Sequence, residues 1–334
     1  MAGAITVDVG DSDHGLICGF DLGKPQPLAD EALTDGTSSS PVAPPPRWLH
    51  FNLDDTRALR FIERNPHIPV EAREILVKDH ARVQARIVDH GLLLVLADLH
   101  LDLPGEANEV GLLAVYVDQH LIVSGRRRPL KAVDHLRHKQ RHATEATTPT
   151  ALLVDLLAYV IDGFVELVGQ LDDQVDVAED EILAGRLTEQ GARLGRLRRL
   201  LARLRRHARS NRGALTGLLP HLPAWYQPDD RAHLQEAAER MDALVQDIEL
   251  VQERTRLLQE EIAGRVNEAT NRSLFLLSII TATLLPVDLI TGIFGMNVGG
   301  LPLTGNPNGF HWVGGLTVAV VLGTLLLLWR RRIF

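Results

Sequence analysis

The hydrophobic pattern of the chain changes period along its length. Up to Ser124, apolar residues come in short runs: His14 to Leu22, Trp48 to Leu53, Val83 to Asp89, Leu92 to Leu101, Leu112 to Val117 and Leu121 to Ser124. Each has the length and composition of a strand. Asp89-His90-Gly91 and Asp118-Gln119-His120 punctuate them as hairpin turns, while Asp54-Asp55-Thr56 and Pro69-Val70-Glu71 read as helix starts. Residues 24–46, with Pro25, Pro27, Ser38-Ser39-Ser40 and Pro44-Pro45-Pro46, read as a linker-like loop. The pattern predicts a mixed α/β domain over residues 1–142.

From Pro149 the period becomes helical. Leu153, Leu156, Val160, Phe164, Leu167, Leu171 and Val175 recur every three or four residues. Further on, Met241, Leu244, Ile248, Val251, Thr255, Leu258 and Ile262 form a heptad-like seam, the mark of a long helix in a bundle or coiled coil. Residues 143–270 are therefore expected to be a long-helix region. Between Asp230 and Leu285 there is no proline and only Gly264 as a glycine, so one helix is expected to run from the soluble part into the apolar segment that follows. Such continuity would couple movement of the soluble part to that segment.

Two stretches near the C-terminus, about 274–294 and 313–329, are apolar over the length needed to cross a bilayer. They define a transmembrane domain over 271–334 with a connecting loop at 295–312. Arg265 and Arg272 precede the first span and Arg330-Arg331-Arg332 follow the second, whereas Val298 to His311 carries no charge. The positive-inside rule places both termini in the cytoplasm and the loop outside. Trp312 and Trp329, roughly 25 Å apart on a helix, suit the two interfaces of the membrane. Asp8, Asp11 and Asp13 interrupt the N-terminus before any apolar core develops, so no secretory leader is expected and the soluble bulk is read as cytosolic. The fold class is thus an α+β cytosolic domain with long helices continuing into a two-span α-helical membrane domain.

Composition narrows the function. At 334 residues there is ample length for a buried core. The net charge of −8 and the absence of interleaved aromatics argue against a nucleic-acid partner. Cys18, the only cysteine, allows no intrachain disulfide and reads as strand packing. No phosphate loop, nucleophile elbow or paired-histidine hydrolase motif is present, so the chain does not read as an enzyme and no resident cofactor is expected.

The chemistry concentrates in the first span and the turn behind it. Gly295-Met296-Asn297 admits two readings. Asn297 can hold the hydration water of a cation, or the tripeptide can simply end a helix. Helical spacing sets Asn271, Leu274, Ser278, Thr281, Leu285, Asp288 and Gly292 near one face. A carboxylate inside an apolar span is by default a functional-site hypothesis, so Asp288 is a candidate cation site and proton carrier; the alternative is a side chain hydrogen-bonded into the kink at Pro286. His135, His138 and His142 have a spacing compatible with Zn²⁺, but Arg137, Lys139 and Arg141 among them favour a solvated basic face. The acidic helix with Asp172, Asp173, Asp176, Glu179, Asp180 and Glu181 offers regulatory cation ligands. It can equally pair with the arginine-rich helix that follows, Arg193 to Arg212, as an antiparallel neighbour; a basic ring at the pore entrance is the other reading of those arginines.

Phe294-Gly295-Met296-Asn297 closing the first of two C-terminal spans resembles the CorA metal-ion transporter family. The phrase from Asn271 to Asn297, with Pro286 and Gly292, is similar to that family's pore helix. Trp48-Leu49-His50-Phe51 and Ser124-Gly125-Arg126-Arg127-Arg128-Pro129-Leu130 resemble its zinc-transporting ZntB branch, as does Gly299-Gly300-Leu301-Pro302, which stands where magnesium-type members carry an acidic motif. The resemblance implies a homopentameric funnel whose pore is lined by the face from Asn271 to Gly292. In it Leu274, Leu277 and Leu285 would be apolar constrictions, and Gly295, Met296 and Asn297 the mouth. Gly299, Gly300, Pro302 and His311 would form the outer loop. It further implies an inner-membrane divalent-cation transporter with Zn²⁺ as the expected cargo, coupled to protons in the zinc branch, and Asn297 as a metal contact; at Asp288 the chain departs from the hydroxyl residue usual in the family, so a metal contact there is expected only from the carboxylate's place in the span. Magnesium, cobalt or nickel is the alternative cargo. The rival of another class is a membrane-anchored binding or signalling protein, against which Ser278, Thr281, Asp288 and Gly292 weigh.

Overall fold

In the computed structural model, which describes residues 15–24, 26–27, 46–78, 82–101, 110–187, 189–296, 300–302 and 306–330, each apolar run of the first part becomes a strand. These are β1 (Leu16–Asp21), β3 (Arg47–Asn52), β4 (Gln84–Val88), β5 (Gly91–Leu99), β6 (Val110–Val117) and β7 (Leu121–Arg126). The two-residue β2 (Gln26–Pro27) falls inside the stretch expected to be loop. It is too short to show an alternation. The seven strands form one sheet in the order β2-β1-β3-β7-β6-β5-β4. β3 and β7 run parallel, with Leu49 opposite Val123; the other pairs are antiparallel.

The turn between β4 and β5 is tighter than expected. Asp89, at φ +52, and His90 make it, a conformation a short Asx side chain tolerates. Gly91 belongs to the strand, and a Cβ there would lie 2.5 Å from the Tyr116 ring. Close approach, not turning, requires that glycine.

Both faces of the sheet are covered. Helices α1 (Thr56–Arg64) and α2 (Val70–Val77) start where the sequence indicates, with the Asp55 carboxylate accepting from Arg57 N at 2.8 Å and Pro69 at the α2 N-cap. They lay Ile62, Ala72 and Leu76 against Phe51, Leu93, Val95 and Val123. α3 (Lys131–Arg141), α4 (Pro149–Leu183) and α5 (Gln190–Leu218) contribute the other layer. β5 is therefore buried over all nine of its residues, which is why it reads as an unbroken apolar run rather than an alternating one.

Two buried polar side chains tie this layer to β5. β4 stops opposite Val95, and beyond it the Asn211 amide of α5 takes the place of a neighbouring strand: Oδ1 accepts from Ala97 N at 2.9 Å and Nδ2 donates to Ala97 O at 2.8 Å. Asp98 accepts from Leu99 N at 2.8 Å and from Ala132 N at 3.1 Å. It thereby serves the first turn of α3, whose own N-cap residue, Leu130, supplies no side-chain bond.

The last two α-helices among the described residues are α6 (Pro228–Phe294) and α7 (Gly309–Arg330). α6 is continuous through Pro286 over 67 residues. The chain divides into two compact units, Met1–Leu258 and Gln259–Phe334. In the first, the α6 seam buries Met241, Leu244, Ile248, Val251, Thr255 and Leu258; Ile262, the last residue of the expected seam, is only half-buried. Ion pairs from both charged helices run to α6. Arg254 bonds Asp172 (2.7 Å), Asp176 (2.5 Å) and Glu179 (3.0 Å) of α4, while Arg212 of α5 reaches Asp242 at 2.6 Å and Arg209 reaches Glu249. α4 and α5 are neighbours, as the sequence indicates, but these charges are matched through the third helix. The Arg254 partners lie 75 to 82 residues away along the chain, beyond any local window of the sequence.

Candidate functional site

Asn271, Leu274, Leu277, Ser278, Thr281, Leu285, Asp288 and Gly292 all lie on α6 within the second unit, and all are exposed. Leu274, Leu277 and Leu285 expose 56%, 60% and 63% of their area, an apolar cost in water that lipid or a neighbouring helix would remove. α6 and α7 are both long and apolar enough to cross a membrane.

The hydroxyls of this stretch are turned back onto their own helix. Ser278 Oγ donates to Leu274 O at 2.9 Å and Thr281 Oγ1 to Leu277 O at 2.9 Å. With the proton engaged, each oxygen presents only lone pairs outward. Pro286 has no N–H, so the Ala282 carbonyl loses its helical donor. Leu277, Ser278, Thr281, Ala282, Leu285 and Pro286 line an open groove of about 460 Å³. Four of these were singled out from the sequence. Pro286 enters the sequence reading only as a kink and as part of the pore-helix phrase, and Ala282 does not enter it, although the i, i+4 relation between a proline and the carbonyl it orphans is legible in the sequence.

Further along α6 stands Asp288. Its carboxylate has no hydrogen-bond or ion-pair partner among the described residues, and the bond at this position is from Thr291 Oγ1 to the Asp288 backbone oxygen, at 3.2 Å. The alternative of a side chain bonded into the Pro286 kink is not what the geometry presents. The face thus offers hydroxyl, carbonyl and carboxylate oxygens, ligands suited to hard or hydrated cations.

Gly295 ends the helix by close approach rather than by a left-handed turn. Its N–H donates to Thr291 O at 2.8 Å, and a Cβ there would lie 2.8 Å from that same oxygen. Met296 follows, 51% exposed. Asn297 and Gly299 lie outside the described residues. Gly300 sits at φ +97, a conformation that favours glycine; Pro302 is exposed, and exposed His311 packs edge-on against Phe310 with ring centroids 5.8 Å apart.

The other candidates resolve into packing. His135, His138 and His142 are exposed; His135 stacks on Tyr159, and His138 meets His142 edge-on. No group of three metal-ligating side chains occurs among the described residues. Cys18 lies in β1, and burial pushes its thiol up to about 12 despite Arg137, Arg141 and Arg126 nearby; it stays protonated. His50 is fully buried in β3. Arg126 Nε can only donate, so His50 Nε2 accepts from it at 3.2 Å, and Nδ1–H donates to Ser124 Oγ at 2.8 Å. Burial first, then Arg126 and Arg137, hold this imidazole well below its usual range, in keeping with that neutral tautomer. Ser124 Oγ also accepts from Trp48 Nε1 at 2.9 Å. The Trp48–His50 and Ser124–Arg126 segments, noted for their resemblance, thus meet in one buried polar cluster across the parallel β3–β7 pair.

The chain is similar to known proteins over most of its length. The profile of the family described as "CorA-like Mg2+ transporter protein" matches residues 46–332. The divalent cation transporter CmaX of Pseudomonas aeruginosa is 31% identical over 278 residues, 82% of this chain and 83% of that protein. The zinc transport protein ZntB of Yersinia enterocolitica is 27% identical over 291 residues, 86% of this chain and 89% of its own. The solved structure of full-length CmaX superposes with a TM-score of 0.81 at 27% identity, covering 97% of this chain and 99% of that one.

Proposed function

The chain belongs to the CorA-like family of divalent-cation transporters, and from that premise we propose that its cargo is Zn²⁺, carried through a homopentameric pore lined by the exposed face of α6. The observation that carries this reading is the oxygen face itself. An anchor needs only apolar surface, whereas α6 sets Ser278, Thr281, the Ala282 carbonyl and Asp288 along membrane-length helix. Two spans cannot enclose a pore, so the face needs copies of itself, and membrane lipid covers the outer surface. Asn297 forms the mouth, with Gly295 and Met296 before it and Gly299, Gly300, Pro302 and His311 in the outer loop. Residues 271–334 sit in the inner membrane with both termini cytoplasmic, and the part before residue 271 is the cytosolic funnel.

The choice of Zn²⁺ rests on the relatives named for zinc and on Gly299-Gly300-Leu301-Pro302 in place of an acidic motif. The pore face offers neither nitrogen nor sulfur, so the ion passes largely hydrated. That same oxygen chemistry, with the magnesium named in the family description, favours Mg²⁺, Co²⁺ or Ni²⁺ as the second reading. Asp288 binds the cation within the span and carries the coupled proton. Asp288→Asn keeps the side-chain volume and removes the charge. It is expected to cut cation flux into proteoliposomes by tenfold or more, about 1.4 kcal/mol of barrier, and to abolish its response to a pH gradient. Wild-type flux in that variant would remove Asp288 from the mechanism.

A further inference from the structure

α5 (Gln190–Leu218) contains no acidic residue at all, so from Arg196 onward none of its arginines has a carboxylate one turn away on the helix. Arg209 and Arg212 find theirs on α6. Arg196, Arg199, Arg203 and Arg206 do not: all four are exposed, and none has an ion pair among the described residues. Their spacing of i, i+3, i+7 and i+10 places them in one stripe about 15 Å long. The stripe lies opposite Leu194, Leu197, Leu201 and Leu204, which are buried against the rest of the domain.

The geometry of the stripe limits its partner. Guanidinium groups strung along a ridge do not converge, as a pocket for a single phosphate would require. With the leucines of α5 already buried, no apolar face remains to enter a membrane surface. What fits is an extended acidic ridge, and α4 carries one. Glu166, Asp173 and Asp180 recur every seven residues over about 21 Å and lie opposite the buried Phe164, Leu171, Val175 and Ala178. Glu166 is engaged only by Gln170 of its own helix, and Asp173 and Asp180 have no partner among the described residues. This acidic ridge is separate from the Asp172, Asp176 and Glu179 flank that Arg254 occupies.

We propose that the arginine stripe of α5 docks against the Glu166–Asp173–Asp180 ridge of α4 in a neighbouring copy of this chain. The α4–α5 hairpin then carries a cationic surface on one leg and its complement on the other. That makes the contact head-to-tail, the kind that closes a ring rather than a two-fold dimer. The inference rests on the oligomeric reading above and gives that assembly a specific register in the soluble part, with charge setting the partner choice.

The test uses the full-length chain in a Cys18→Ser background, as two differently tagged populations, one carrying Asp173→Cys and the other Arg203→Cys. After assembly in one detergent solution and mild oxidation, disulfide dimers bearing both tags are expected. Arg199→Glu with Arg206→Glu on the arginine-bearing chain should lower their yield at least fivefold, and Glu166→Arg with Asp180→Arg on the other chain should restore it. Light scattering on the same samples separates the two readings. Assembled rings without mixed dimers, or a yield indifferent to charge reversal, overturn the docking proposal alone. A wild-type monomer overturns the oligomeric reading with it. If the reversed chain loses only binding of tripolyphosphate while cross-linking is unchanged, the stripe serves a free polyanion and the proposal fails.

Discussion

Asn211→Ala removes the side chain that completes the sheet where β4 has ended. The Ala97 N–H and C=O, now bonded at 2.9 and 2.8 Å, are left without partners in a region where Asn211 and Ala97 are fully buried. Each orphaned buried group costs about 1–3 kcal/mol, so the substitution should cost about 2–6 kcal/mol, a large share of a typical domain's stability. Denaturant unfolding of the detergent-solubilised chain reads this directly. Trp48, buried and stacked on Phe20 at 5.5 Å, reports the sheet by fluorescence, and the midpoint should fall with little change in slope. Hydrogen exchange supplies the local readout, because the Ala97 amide should lose protection beyond the global change. A loss below about 1 kcal/mol, with the Ala97 amide still protected, would refute the view that Asn211 stands in for a strand.

Gly295→Ala sets a methyl against the Thr291 carbonyl, a clash whose relief typically costs about 1–3 kcal/mol; cation flux should fall while the amount of folded protein is kept, and unchanged flux would show that the turn tolerates the shift. Asp98→Asn tests a compensation between buried groups. Burial raises Asp98 to about 7 against the two backbone N–H groups that favour its anion, and burial with Arg126 holds His50 low. Between about pH 4 and 6.5 the folded chain keeps an Asp98 proton that the unfolded chain has released, so this group makes stability fall as pH rises. Over the same window the unfolded chain carries a His50 proton that the folded chain excludes, so stability rises with pH. The slopes oppose each other, and in Asp98→Asn, relative to wild type, stability should rise through that window by up to about 1.4 kcal/mol per pH unit. Denaturation midpoints at three pH values decide it, and a profile parallel to wild type refutes it.

Much of the fold is legible because it rests on local pattern. Strand runs, the Asp55 and Pro69 helix starts and the α6 seam are short-range signals, and each appears within a residue or two of its expected place. What escaped depends on residues far apart in the chain. The parallel pairing of β3 with β7 and the Arg254 clamp on α4 join segments that no window spans, and Asn211 looks like any polar residue in a basic helix until β4 proves shorter than β5. Within the membrane segment the face was readable because spacing of three and four residues is itself the geometry. The sequence allows Gly295 to end a helix; that it does so pressed close to Thr291 O depends on the backbone geometry around it. The role of Asn297 follows from resemblance, since that residue lies outside the described ones.

The central claim is that α6 lines a path for divalent cations. Purified protein in liposomes, loaded with a fluorescent chelator and presented with Zn²⁺ or Mg²⁺ with and without a pH gradient, tests it most directly. The expected result is Zn²⁺ entry that exceeds Mg²⁺ entry, responds to the gradient and falls in Asp288→Asn. Protein correctly inserted in those liposomes and passing neither ion would contradict it and leave α6 and α7 as an anchor.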